Sequence, residues 1–292
     1  MKLKNFIFKK NKSYIFKILK INEFTKDFLN LLKKGKTDFD KFQKYLKDIE
    51  LKKLSNFLFF LRVLDFRLWE FPQNWHFKNE KEFYGLLLKT KNLFKIDLDK
   101  IDFSIFKKLI SSKENENLAK LRYKIFKQSL NWLNKNYDGD FINYFEENKK
   151  PLNFCLNLLQ LEKFKDYYKN FYFLKPNQLL YLELIIGNKL EKKFKNELEE
   201  LTIFADYKLP QLFINFNLID LPTNILDKIK NRKIIKIHSI LENELRWASI
   251  IIGESLSKKI NLPSYLIDNL IWDLANKIYL KIYHPKIKTI FY

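Results

Sequence analysis

Apolar residues recur every three or four positions along most of the chain, which is the spacing of one face of an α-helix. One such face comprises Phe24, Phe28, Leu31 and Leu32, and Gly35 follows it, where a helix commonly ends. The same spacing predicts helices over residues 39–46, 121–133, 178–186, 244–257 and 265–279. A small β element is predicted near the N-terminus, around residues 14–18.

Local polar signals predict where some of these helices begin or end. Asn79 with Glu82, and Ser111 with Glu114, have the spacing of a capping box, which predicts that Asn79 and Ser111 are helix N-caps. Residues 137–140, with the sequence Tyr-Asp-Gly-Asp, predict a turn after a long helix.

The composition supports the same fold class. The chain has 292 residues, of which 47% are apolar and 17% aromatic, enough to bury a sizeable core. Five glycines and seven prolines supply little material for tight turns, which favours helices over a many-stranded β fold. We predict a mainly α fold with a single globular domain over residues 1–292.

The chain is strongly basic, with a formal net charge of +21, as nucleic-acid-binding proteins often are. However, only five of its 55 basic residues are arginine, the residue that favours base recognition and bidentate phosphate binding. Two interpretations stay open: a dispersed, solvated lysine surface, or a non-enzymatic basic helical protein that binds RNA or DNA. We favour the first and expect no stable nucleic-acid partner.

Other classes of protein are excluded by the sequence. The most apolar run, residues 57–61, is far shorter than the roughly 18 to 20 residues of a membrane-spanning helix. The lysine-rich N-terminus does not resemble a signal peptide, so we expect a soluble cytoplasmic protein with no membrane partner. A single cysteine, Cys155, rules out an internal disulfide, and the three histidines lack the spacing of metal ligands. We expect neither a metal nor an organic cofactor.

The most informative stretch places one carboxylate among apolar and aromatic residues. Residues 201–211 have the sequence Leu-Thr-Ile-Phe-Ala-Asp-Tyr-Lys-Leu-Pro-Gln, in which Asp206 follows an apolar run and precedes Tyr207. An acid in this setting is partly desolvated, which is typical of functional carboxylates. The residues leave a second interpretation open, in which Asp206 caps the helix that follows.

This stretch resembles the signature of the queuosine salvage protein family, whose members hydrolyse queuosine 5′-phosphate and release queuine. Upstream, Asp166, Lys175 and Gln178 match the family, whereas Pro-Asn at positions 176–177 replaces its usual Arg-Ala. Downstream, residues 239–246 match its Ser-x-x-Glu-x-Glu-x-Arg segment. Similar endings occur at residues 266–272 and 283–292, so the matches run in order from about residue 64 onwards.

Residues 64–69 resemble the family's Leu-Asn-Phe-Cys-Phe-Trp segment. Phe66 and Trp69 match it, while Asp65 stands where asparagine is usual. Two aromatic residues three positions apart share a helix face and suit stacking on a purine-like base. Packing in the core is the alternative for both.

The resemblance implies a fold similar to that of helical DNA glycosylases. It also implies hydrolysis of the N-glycosidic bond of queuosine 5′-phosphate, giving queuine and ribose 5-phosphate for tRNA queuosine salvage. Asp206 is then the catalytic carboxylate. The substrate-binding residues that we expect with it are Lys175, Phe66, Trp69, Tyr207, Asp65 and Arg246.

For Lys175 and Arg246, the neighbouring residues in the sequence also indicate a role, independently of the family resemblance. Lys175 directly precedes Pro176, which suits the first turn of a helix, so a fixed cation and backbone N–H groups would meet there. Arg246 is spaced i,i+4 from Glu242, which indicates an ion pair that is either structural or directed at a phosphate.

Overall fold

Helices account for most of the chain, and the prediction of a mainly α fold is confirmed. A computed structural model describes residues 1–12, 14–35, 37, 39–169, 171–191 and 194–292. The α-helices in these ranges are α1 (Leu3–Asn11), α2 (Lys26–Lys34), α3 (Phe39–Leu46), α4 (Leu51–Leu64), α5 (Glu82–Leu93), α6 (Phe103–Leu109), α7 (Glu116–Tyr137), α8 (Phe141–Glu147), α9 (Pro151–Asn157), α10 (Pro176–Glu191), α11 (Lys195–Glu199), α12 (Lys208–Asn215), α13 (Thr223–Lys230), α14 (Ile240–Ile260) and α15 (Ser264–Lys277). None of these described helices combines the length and the apolar character needed to cross a membrane.

The strands are short and pair two by two. They are β1 (Lys20–Ile21), β2 (Tyr167–Tyr168), β3 (Phe171–Tyr172), β4 (Ile219–Asp220), β5 (Ile234–Ile235) and β6 (Lys286–Ile287). β1 pairs with β4 and β2 with β3, both antiparallel, whereas β5 and β6 are parallel. Within the described residues there are also four 3₁₀-helices: Pro72–Trp75, Leu98–Lys100, Leu158–Gln160 and Glu162–Phe164.

The chain forms two compact units, each built from separate stretches. The first unit comprises Met1–Phe39 and Asp166–Thr289, and the second comprises Asp40–Lys165 and Ile290–Tyr292. In the first unit, α12, α14 and α15 pack on one another; in the second, α4 packs against α5, α7 and α8. A single domain over residues 1–292 stays a prediction, because two such units are compatible with one domain or two.

The helix boundaries follow local caps, although not all the predicted ones. The Asn115 side chain accepts a hydrogen bond from the Leu118 N–H at 2.8 Å and begins α7. The predicted N-caps at Asn79 and Ser111 are therefore wrong, since α5 begins at Glu82 and α7 at Glu116. Asn79 instead lies in a tight turn with a φ of 67°, between two residues that form a β-bridge.

The predicted turn at residues 137–140 is confirmed. Helix α7 ends at Tyr137, and Asp138 and Gly139 both have left-handed backbones, with φ values of 51° and 76°. Glycine adopts this conformation without the steric cost that a Cβ brings, which explains the Asp-Gly pair at this point.

The small β element near the N-terminus is present, but it lies at β1 rather than at residues 14–18. Residues 17–19 instead donate their three backbone N–H groups to the buried Glu244 carboxylate, at 2.6, 2.9 and 3.1 Å. The Tyr14 hydroxyl donates to the same carboxylate at 2.9 Å, and burial together with this bond raises the pKa of Tyr14. The carboxylate thus occupies the donors that a neighbouring strand would need.

Candidate active site

Asp206 lies where an extended segment meets helix α12. Residues 201–205 form neither helix nor strand and are buried, whereas Asp206 is half-buried. Its Oδ1 accepts a hydrogen bond from the N–H of Lys208, the first residue of α12, at 2.8 Å, although Tyr207 rather than Asp206 is the N-cap residue. The helix start therefore fixes the orientation of a carboxylate that is partly exposed.

Side chains from other helices hold the backbone in front of this carboxylate. Asn177 of α10 donates to the Thr202 carbonyl at 2.9 Å, and Asp268 of α15 accepts from the Phe204 N–H at 2.9 Å. The Thr202 hydroxyl donates to Glu254 of α14 at 2.6 Å. Asn177 is one of the departures from the family pattern, and here it ties α10 to the signature stretch.

Arg246 completes this support through a buried ion pair. Its two terminal nitrogens donate to the Asp166 carboxylate at 2.7 and 2.6 Å, and its Nε donates to the Ala205 carbonyl at 3.1 Å. The guanidinium also lies 3.8 Å from the ring centroid of Phe173 and 3.6 Å from a Glu242 oxygen. These contacts favour the structural interpretation of Arg246, and its role as a direct substrate contact stays a prediction.

The same ion pair anchors the segment that carries Lys175. The Asp166 carbonyl accepts hydrogen bonds from the N–H groups of Phe173 and Leu174, at 3.2 and 3.3 Å. Lys175 follows, and Pro176 is the first residue of α10, as predicted. Lys175 is only 8% exposed, so it does not belong to a solvated lysine surface. Asp166 and Arg246 thus connect the two segments that end in Lys175 and Asp206.

Tyr207 has a histidine as its aromatic neighbour. The ring centroids of Tyr207 and His284 are 4.7 Å apart, and His284 Nδ1 lies 3.2 Å from the Pro285 carbonyl. Burial lowers the pKa of His284 from 6.5 to about 4, so the imidazole is neutral at neutral pH. A neutral, packed histidine therefore supports the residue that follows Asp206.

The other predicted site residues, Asp65, Phe66 and Trp69, belong to the second unit. Helix α4 ends at Leu64, so the prediction that Phe66 and Trp69 share a helix face is wrong. Arg122 donates hydrogen bonds to the carbonyls of Leu64 and Phe66, at 2.6 and 3.0 Å. These carbonyls therefore do not accept the hydrogen bonds that would continue the helix, and the chain turns there.

Phe66 is fully buried, and two cations lie near its ring. The Arg122 guanidinium carbon is 4.2 Å and the Lys163 ammonium 5.0 Å from the ring centroid. This environment favours the core-packing interpretation of Phe66. Trp69 is half-buried, and Asp65 forms an ion pair with Arg62. Substrate contact by these three residues stays a prediction.

The sequence did not predict the supporting roles of Asp166 and Asp268, which only the contacts in the structure reveal. Both residues fall in segments that match the family, but their partners lie 80 and 64 positions away along the chain. A sequence signal exists for Asp268, a carboxylate among apolar neighbours, where an unpaired charge is costly to bury. Within the described ranges, no three His, Cys, Asp or Glu side chains cluster as metal ligands.

The fold and the site define a mainly α protein in which buried ion pairs fix one half-buried aspartate at a helix start. The family model described as "Queuosine salvage protein" matches residues 45–292. The chain therefore belongs to the queuosine salvage protein family, as the sequence resemblance predicted.

Three curated relatives, each named queuosine 5′-phosphate N-glycosylase/hydrolase, are similar to parts of the chain. The relative from Bos taurus is 25% identical over 182 residues, which cover 54% of this chain and 52% of the relative. The Schizosaccharomyces pombe relative is 27% identical over 93 residues, or 31% and 27% of the two chains. The Dictyostelium discoideum relative is 28% identical over 103 residues, or 33% and 32%. The chain thus spans about half the length of the bovine relative and a third or less of the other two.

Proposed function

We propose that this chain hydrolyses the N-glycosidic bond of queuosine 5′-phosphate and yields queuine and ribose 5-phosphate. The names of the relatives support this activity, and family membership supports its transfer to this chain. The observation that carries the proposal is the half-buried Asp206 carboxylate, on a backbone that the Arg246–Asp166 pair holds together with the Lys175 segment. We also propose that the protein is cytoplasmic and that it acts on a free nucleotide rather than on intact tRNA.

The chemistry requires an anion close to the reacting carbon. When the bond from C1′ to the base nitrogen breaks, its electron pair leaves with the base, and positive charge develops on C1′ and the ring oxygen. The Asp206 carboxylate stabilises this charge, either by attacking C1′ or by activating water. Water finally supplies the hydroxyl group on C1′ and the proton on the base nitrogen, so the reaction is balanced without a redox step.

The neighbouring residues fit the rest of the nucleotide. The buried Lys175 precedes the N-terminus of α10, where backbone N–H groups and a fixed cation suit an anionic group such as the 5′-phosphate. The ring of Tyr207 provides a flat surface for a deazapurine base. Arg246 acts through the backbone in front of Asp206 as a positioning residue.

The test is the rate of queuine release from queuosine 5′-phosphate by an Asp206→Asn variant. We expect a loss of about 10³-fold or more, the scale of removing a key electrostatic group, with the unfolding midpoint retained. Asp227→Asn, which changes an exposed aspartate on α13 of the same unit, is the matched control and should keep the wild-type rate. Near-normal turnover by a folded Asp206→Asn protein would remove Asp206 from the mechanism.

A further inference from the structure

A cavity lies in the first unit, and its described lining includes none of the predicted site residues. Its volume is about 300 Å³, and its walls come from α1, the segment after it, the β2–β3 hairpin and the start of α14. Among the described lining residues, three are lysines (Lys10, Lys17 and Lys169) and none is an aspartate or glutamate. The cavity therefore favours an anionic ligand.

Asn243 of α14 provides an independent sign of a ligand. This residue lines the cavity, is only 4% exposed, and its buried Oδ1 accepts no hydrogen bond. The other amide in the wall, Asn11, is fully engaged: it donates to the carbonyls of Ile7 and Tyr172 and accepts from the Tyr172 N–H. Because a buried polar atom without a partner costs free energy, the Asn243 amide is suited to a bound polar group.

Aromatic rings form another part of the wall. Tyr168 and His238 stack with their centroids 4.4 Å apart and their planes at 11°. The ring centroids of Phe171 and Tyr14 are 4.5 Å apart, and the Lys169 ammonium lies 5.4 Å from the Tyr168 ring centroid. Cations beside partly exposed rings are the combination that suits a ligand with both a phosphate group and a flat base.

Two buried carboxylates close to the cavity wall have hydrogen-bond donors of their own. Glu244, the neighbour of Asn243 in the chain, accepts hydrogen bonds from the Tyr14 hydroxyl and from three backbone N–H groups. Glu242 accepts one from the His238 N–H, whereas the three lysines line the cavity itself.

We propose that this cavity binds a nucleoside monophosphate at a site distinct from the one around Asp206. Lys10, Lys17 and Lys169 bind the phosphate, the base lies against the Tyr168–His238 wall, and the Asn243 amide forms a hydrogen bond with the ligand. A cavity of this size lies at the small end of ordinary ligand pockets, as a mononucleotide requires. The proposal does not depend on the proposed glycosidase activity.

The experiment measures AMP binding to the intact chain by calorimetry, in a background that carries Asp206→Asn and Lys175→Ala so that the first site is disabled. We expect saturable binding that is tighter for AMP than for adenosine or ribose 5-phosphate. Lys10→Ala with Lys17→Ala should weaken it by at least about tenfold, as the loss of two charged partners does. The matched control, Lys230→Ala with Lys258→Ala, changes exposed lysines outside the cavity and should leave the affinity unchanged.

Asn243→Leu separates binding from folding. Replacing an amide that lacks a partner should not lower the unfolding midpoint, but it should weaken AMP binding several-fold. The proposal is overturned by an absence of saturable AMP binding at millimolar concentration. It is also overturned if ribose 5-phosphate binds as tightly as AMP, or if the control lysine pair lowers the affinity as much as the cavity pair.

Discussion

Two buried arginines, one in each unit, form the same construction, which we call an arginine clamp. Arg246 donates to Asp166 at 2.7 and 2.6 Å, and Arg122 donates to Glu114 at 3.1 and 2.7 Å. Arg246 also donates to one backbone carbonyl and Arg122 to two, and each guanidinium carbon lies close to the centroid of a phenylalanine ring, at 3.8 and 4.2 Å respectively. In both units, then, a buried ion pair fixes a piece of irregular backbone.

The two clamps differ in what they hold. The Arg246 clamp holds the carbonyl just before Asp206, a half-buried carboxylate, whereas the Arg122 clamp holds the carbonyls of Leu64 and the fully buried Phe66. The same construction therefore supports, in one unit, the carboxylate for which we propose a catalytic role and, in the other, core packing. An arginine clamp fixes the backbone in both units, and the two units differ in the residue that this backbone carries.

The largest expected effect comes from removing either arginine. Arg246→Met and Arg122→Met should each lower the free energy of unfolding by about 3–5 kcal/mol, because each leaves a buried carboxylate without its partner. Denaturant unfolding measures this loss, and Arg232→Met, which changes an exposed arginine, is the control. Adding Asp166→Leu to Arg246→Met should recover part of the loss; a loss below about 1 kcal/mol in either single variant would show that the clamp is not structural.

Two buried lysines sharpen the comparison. Lys163 of the second unit is 1% exposed and donates to the carbonyls of Asp65 and Ile290, at 2.8 and 2.6 Å. Lys163→Met should therefore lower the free energy of unfolding by about 2 kcal/mol, as denaturant unfolding would measure.

Lys175→Met should instead lower the rate of queuine release by about 100-fold with little change in the free energy of unfolding, if its cation binds the substrate. Unchanged kinetics for Lys175→Met would exclude Lys175 from the substrate site.

The two units should also respond to pH in different ranges. Burial lowers the pKa of His284 from 6.5 to about 4, and that of Lys89 in the second unit from 10.5 to about 8. In each range the unfolded chain binds a proton that the folded chain does not, so the free energy of unfolding rises with pH across both ranges.

Unfolding curves at several pH values test this behaviour. His284→Phe should reduce the slope between pH 4 and 6.5, and Lys89→Met should reduce it between pH 8 and 10.5. Each variant serves as the control for the other. Identical slopes in the variant and the wild-type chain would mean that the group is not buried in its neutral form.

The smallest expected effect concerns salt, and it tests the RNA- or DNA-binding alternative. Both clamp arginines are buried, so neither presents its guanidinium to a nucleic-acid backbone. Queuosine 5′-phosphate offers one phosphate group, and its cleavage should change by less than about twofold between 0.05 and 0.2 M salt, while any RNA affinity disappears over that range. RNA binding that survives high salt, without release of queuine, would favour the nucleic-acid binder over the glycosidase.

Local patterns predicted the parts of the molecule that local forces determine. The helices, the Pro176 start and the Asp138–Gly139 turn depend on periodicity and on the conformational preferences of proline and glycine, and they are confirmed. The order of the family motifs along the chain identified Asp206 and Lys175 as candidate active-site residues and placed Asp166 in a matching segment. It did not predict that Asp166 pairs with Arg246, because a contact between residues 80 positions apart leaves no periodic signal in the sequence.

The failures have a common physical cause. Residues 14–18 have β character, but the N–H groups of Lys17 and Ile18 donate to Glu244, which lies more than 200 positions away in the chain. The Phe66–Trp69 spacing is helical, but Arg122 takes the carbonyls that would continue α4. In each case a buried charged side chain from a distant segment outweighed the local preference of the backbone.

The Glu244 carboxylate also constrains the order in which the chain can fold during synthesis. Its partner Tyr14 leaves the ribosome 230 residues earlier. At about 5–20 residues per second, this separation corresponds to roughly 10–50 s. During that interval the N–H groups of the N-terminal segment donate to water instead of to Glu244, whereas residues 40–165 of the second unit have already been made. The first unit therefore cannot form this contact until Glu244 has been made, and a chaperone that binds the nascent N-terminus would act in that interval.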